Sequence, residues 1–156
     1  MKRLPGIGAG FVLVGAALSA CASPAAPMTS PIGASARTAE VHLSPTCTCC
    51  TEYAAYLRRN GWTVEEIEEQ DISAFQGDLG VPESARGCHT TLIDGYVVEG
   101  HVPLAAVERL LAERPAIDGI ALPGMPLGSP GMTGEADGPM VVLSFDRGDV
   151  TPYGEY

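Results

Sequence analysis

Apolar and polar positions along this chain recur with two different periods, and the points where the period changes mark its elements. The first apolar run, Ile7 to Leu18, follows the basic pair Lys2 and Arg3 and gives way to small residues. It is too short to span a bilayer as a helix, so residues 1–20 read as an export signal that is removed. Residues 21–39 are rich in Ala, Ser, Pro and Thr without an apolar period, which predicts a flexible tether reaching on the order of 25 Å. The pattern then becomes regular. Glu40 to Leu43 predicts a strand running into the loop Ser44-Pro45-Thr46-Cys47. Cys49 to Asn60 predicts a helix, with Tyr53, Tyr56 and Leu57 on one face and Gly61 as its stop. Trp62 to Ile67 reads as a second strand, and Ile72 to Leu79 as a short helix ended by Gly80. Thr90 to Ile93 and Tyr96 to Glu99, joined by Asp94-Gly95, form a hairpin with a two-residue turn. Pro103 opens a helix to about Glu113, striped by Leu104, Val107, Leu110 and Leu111 and followed by Pro115. A Gly/Pro-rich stretch from Gly119 to Gly138 predicts a loop, and Val141 to Phe145 is a closing apolar segment. No repeat interrupts residues 40–156, which make one domain.

Strand, cysteine loop at a helix start, strand, helix, hairpin, helix is the order of a thioredoxin-like fold. The expected class is therefore α/β, a central mixed sheet with flanking helices and a Gly/Pro-rich C-terminal loop. That order places Cys47 to Cys50 where unpaired helix N–H groups and the helix dipole favour thiolate. In glutaredoxin-like proteins a loop proline just before the hairpin faces the active cysteines. Here Gly87-Cys88-His89-Thr90 holds that place, so Cys88 or His89 would face the other thiols.

Composition changes the picture in two respects. The 156 residues are 46% hydrophobic, enough for a real core, and carry a net charge of −10. No basic run remains once the signal is gone, which argues against nucleic acid as a partner and against electrostatic binding to anionic headgroups. Of the five cysteines, Cys21 ends Leu18-Ser19-Ala20-Cys21, a sequence that resembles the lipobox of bacterial lipoproteins. Lipidated there, the domain would be anchored on the periplasmic side, at the outer membrane because Ala22 rather than Asp follows. An ordinary signal peptide cut at Ala20-Cys21-Ala22 is the alternative. Lipidation would leave four thiols: Cys47, Cys49, Cys50 and Cys88.

Thiols this dense are a metal site or a redox site. Outside the cytoplasm two disulfides are the default, but bonding Cys49 to its neighbour Cys50 is strained and Cys47 to Cys49 little better. Cu(I) is soft, prefers thiolate, and accepts few ligands, so four cysteines could bridge several ions in a cluster. A closed four-thiolate zinc site or an iron–sulfur centre stays open, as does thiol chemistry without metal. The remaining donors are weaker candidates. His89 is a second ligand from a bent loop or a structural histidine, and His101 a ligand or a hydrogen-bonded turn residue. Met125 and Met132 offer thioethers or fill apolar gaps. His42 reads as structural, and Glu65, Glu66, Glu68, Glu69 and Asp71 as a solvated face.

Ser44-Pro45-Thr46-Cys47-Thr48-Cys49-Cys50, Gly87-Cys88-His89-Thr90, the run from Asp94 to Pro103 and the run from Gly124 to Met132 together resemble the CopG-like copper-resistance family. The resemblance spans essentially residues 40–156. It implies a periplasmic thioredoxin-like domain that binds copper for metal tolerance, with a proposed redox role, and it assigns Cys47, Cys49, Cys50 and Cys88 as cluster ligands. The partners it implies are copper ions and other envelope copper-handling proteins. Two functions follow: a tethered module that holds or passes on Cu(I), or a thiol–disulfide oxidoreductase in which Cys47 attacks and Cys50 resolves.

Overall fold

A computed structural model describes residues 37–156. The expected signal, Cys21 and the tether as far as residue 36 lie outside the described residues. The described residues form one mixed seven-stranded sheet with three helices. In order, the elements are β1 Thr38–Leu43, α1 Thr48–Arg59, β2 Thr63–Glu68, α2 Ile72–Asp78, a 3-10 turn Glu83–Ala85, β3 His89–Ile93, β4 Tyr96–Gly100, α3 Leu104–Glu113, β5 Gly119–Leu122, β6 Val141–Asp146 and β7 Asp149–Glu155. Across the sheet the strands run β2-β1-β3-β4-β5-β6-β7. β1 is parallel to β2 and β4 to β5, and the other neighbours are antiparallel.

The mixed α/β class is as expected, and the differences have local causes. β1 begins at Thr38, so Thr38 and Ala39, expected in the tether, are paired with β2. Gly119–Leu122, expected as loop, is a fully buried strand between β4 and β6. Gly119 is needed there, because a Cβ would lie 2.0 Å from the Val97 carbonyl oxygen. The last strand, β7, carries Pro152 and Gly154, residues that ordinarily speak against a strand. It lies at the sheet's edge, and its register with β6 shifts between Val142 and Leu143. The hairpin turn has the positive φ at both Asp94 and Gly95 that a two-residue turn of this kind requires.

Alternation along the strands separates two apolar layers. Val41, Ile93, Val98 and Ile120 pack with Tyr53, Ala54 and Leu57 of α1 and Val107 and Leu110 of α3. On the opposite face Val97, Ala121 and Phe145 pack with Val81 and Ala85. The first layer carries the cysteine-bearing helix, whose start stands at one end of the sheet.

Candidate metal centre

Strand register assembles the site. Leu43 pairs with His89 across β1 and β3, so the loop after β1 and the residue before β3 emerge side by side. That loop turns through a Cys47 N–H to Ser44 carbonyl bond of 3.0 Å, which leaves Cys47 at the N-cap of α1, just before Thr48. Thr90 pairs with Glu99 in the hairpin, and continuing that register sets His101 opposite Cys88. Gly87 must be glycine here: a Cβ would lie 2.5 Å from the Gly100 nitrogen.

The four predicted cysteines converge, with all their sulfurs within 4.8 Å of one another. Cys47 and Cys50 are joined by a disulfide with 5.4 Å between their Cα atoms, the C-x-x-C pairing rather than any neighbour pairing. Cys49 and Cys88 are free. The Cys49 sulfur lies 3.4 Å from that of Cys47 and 4.0 Å from that of Cys88. Cys50 is buried, with its sulfur 3.4 Å from the Cys88 carbonyl oxygen, to which it would donate once reduced to a thiol.

Two imidazoles complete the surroundings. His89, fully buried, sets Nδ1 3.3 Å from the Cys88 sulfur, while its Nε2 has no hydrogen-bond partner. His101, also fully buried, sets Nε2 3.2 Å from the same sulfur and donates from Nδ1 to the Pro130 carbonyl at 2.7 Å. Pro130 belongs to the Gly/Pro loop, which crosses the site against α1: a Cβ on Gly131 would lie 2.8 Å from the Tyr53 nitrogen. Tyr53 packs on both imidazoles and donates its hydroxyl to the Val102 carbonyl at 2.9 Å. His101 is hydrogen-bonded, as the turn-residue reading expected, and it also stands beside Cys88. The available signal for the latter was the hairpin register, which places residue 101 across from residue 88.

Electrostatics keep the buried groups neutral. Burial, and then the neighbouring Cys49, push the Cys88 thiol up to about 12. Burial, and then His101, hold His89 down to about 3. Burial also lowers His101, against the bond to Pro130. A cation arriving here meets neutral imidazoles with a lone pair to give and a thiol that must release its proton.

The other candidates stand elsewhere or remain peripheral. His42 bonds through Nδ1 to Glu69 Oε1 at 2.8 Å and stacks on Phe75, a structural role as expected. Met125 is 44% exposed, and the Met132 N–H closes a turn on the Ser129 carbonyl. In the acidic run Glu66 pairs with Arg58 and Asp71 caps α2.

Two solved structures, titled "Copper resistance protein copG" forms 2 and 1, are each 42% identical to the chain and cover 76% of it. The matches take in 97% and 96% of those chains, with TM-scores of 0.70 and 0.69. The chain belongs to the CopG family. A family model described as "Protein of unknown function, DUF411" matches residues 85–132, the segment holding Cys88, His89, His101 and Pro130. No curated protein sequence matches. Membership in the CopG family and the thiol cluster together give the chain a copper-related role.

Proposed function

We propose that this is a cell-envelope protein that holds Cu(I) among Cys47, Cys49, Cys50 and Cys88 in copper tolerance or handling, exported by its signal and anchored through Cys21. The convergence of four sulfurs within 4.8 Å carries the reading. Thiolates at this density suit a soft monovalent ion and can bridge more than one of them. In the disulfide form two of the four sulfurs are withheld. A dithiol, or two molecules of a small monothiol, frees them: two reductant thiols become a disulfide, and Cys47 and Cys50 each gain one electron and one proton. The ligand set is then complete, and copper uptake is tied to the redox state of the pair.

Anaerobically reduced protein should bind several equivalents of Cu(I), measured by competition against a chromogenic Cu(I) chelator. Cys49→Ser or Cys88→Ser should each lower that number. Full stoichiometry in both variants would remove the reading.

The Cys47–Cys50 disulfide at the start of α1 favours a second reading, a thiol–disulfide oxidoreductase. Cys47 is the more accessible of the pair and Cys50 is buried, the usual division between attacking and resolving thiols. Against it, Cys49 stands 3.4 Å from Cys47 and would intercept a mixed disulfide. Insulin reduction separates the two readings: an oxidoreductase needs Cys47 and tolerates Cys49→Ser.

A further inference from the structure

Cys88 belongs to a second donor set that does not include the disulfide. Its sulfur and one ring nitrogen from each of His89 and His101 lie within 4.8 Å of one another. Three observations separate this set from polar side chains that merely share a core. First, a carbonyl oxygen only accepts, so the Pro130 contact keeps the hydrogen on His101 Nδ1 and leaves the Nε2 lone pair facing Cys88. Metal-ligating imidazoles are commonly oriented by such a bond on the far nitrogen. Second, His89 is fully buried with Nε2 unpaired, and its Nδ1 faces the Cys88 sulfur at 3.3 Å. Third, Cys88 is a free thiol while Cys47 and Cys50 are joined.

We infer that Cys88, His89 and His101 form a site for one tetrahedral divalent cation of the zinc class, available while Cys47 and Cys50 are paired. Water or the Cys49 sulfur, 4.0 Å from that of Cys88, completes the shell. One thiolate and two imidazoles suit a borderline divalent ion, whereas the reduced four-sulfur set suits a soft monovalent one. Binding displaces the Cys88 thiol proton to solvent and forms a metal–sulfur bond, with no change of oxidation state. Closing the Cys47–Cys50 disulfide therefore changes which class of metal the protein prefers. This site shares Cys88 with the copper reading but uses neither Cys47 nor Cys50, so it can be tested with that pair closed or removed.

The test uses Co(II) and Zn(II), which do not oxidise thiols, on protein with the disulfide intact and two thiols titratable. One equivalent of Co(II) should bind with thiolate-to-cobalt charge-transfer absorption and tetrahedral d–d bands, and Zn(II) should displace it. The Cys47→Ala/Cys50→Ala double variant should give the same spectrum. His101→Gln and His89→Gln should each weaken Co(II) at least about tenfold. Absence of Co(II) uptake by the folded disulfide form, or unchanged affinity in both histidine variants, overturns the inference. Should those variants fold poorly, alkylation of Cys88 in the unsubstituted protein decides: Zn(II) should slow its reaction with iodoacetamide, and an unchanged rate overturns the site. Cu(I) stoichiometry of the reduced protein, measured in parallel, shows separately whether the copper reading stands.

Discussion

Glu99 is fully buried, and its carboxylate accepts from the Gly87 N–H at 2.9 Å, the Gln76 amide at 2.8 Å and the Thr90 hydroxyl at 2.5 Å. Gln76 also donates to the Gly87 carbonyl at 3.1 Å, so both backbone polar groups of the residue before Cys88 are held. Burial raises the Glu99 carboxyl above its ordinary range, against the three bonds that lower it. Glu99→Ala would leave those donors without their acceptor and should cost about 3 kcal/mol in urea unfolding. Glu99→Gln should lose much less, since its carbonyl can accept from Gly87 and Gln76 while its amide donates to Thr90. Equal losses in the two variants would show that cavity formation, not hydrogen bonding, sets the cost. At this scale the four cysteines were legible, because Cys-x-Cys-Cys spacing is rare and Cys88 sits where the order of elements brings a loop back. Glu99 was not legible. An acidic residue near the end of a short strand reads as solvent-facing, and only the pairing of both its neighbours shows that it turns inward.

Among the elements, strong periods translated directly: α1, α3 and the β3–β4 hairpin stand within a residue or two of their expected bounds. β5 escaped because four buried residues beginning with glycine carry no alternation, and the Gly/Pro run that follows masks it. β7 escaped because edge position and a register shift tolerate the proline that a central strand would reject. With β6, these two strands extend the sheet beyond β4, and local packing gives opposite expectations for one glycine in β5 and one in α2. Gly119→Ala puts a methyl 2.0 Å from the Val97 carbonyl oxygen and 2.6 Å from the Phe145 ring, so the β4–β5 pairing must yield. It should destabilise by about 3 kcal/mol. Gly77, in α2, has ordinary φ, and a Cβ there meets only Arg86 at 3.5 Å. Gly77→Ala should therefore stabilise by roughly 0.5–1 kcal/mol through helix propensity. Thermal melts of the two variants read both signs, and a neutral Gly119→Ala would mean that the strand is not held as tightly as its contacts require.

For the whole molecule, the sheet sets a thiol cluster at one end of a strongly acidic domain. The chain has 19 acidic against 9 basic side chains, and two of the basic ones, Lys2 and Arg3, belong to the expected signal. Such a domain is repelled by anionic headgroups, so charge cannot be what holds it to a membrane. Among the described residues no helix is long and apolar enough to cross one. Under the proposed function, retention then falls to the lipid on Cys21, with more than one acyl chain needed for stable anchoring. Two consequences separate this from adsorption. Membrane fractions should keep the wild-type protein through a high-salt wash, because screening weakens electrostatic contacts and leaves buried acyl chains in place. Cys21→Ser should release the domain to the soluble fraction while the reduced protein keeps its full Cu(I) stoichiometry, since Cys21 is no part of the cluster. Persistent membrane association of Cys21→Ser, or release of the wild type by salt alone, would remove the lipid anchor and with it the outer-membrane placement.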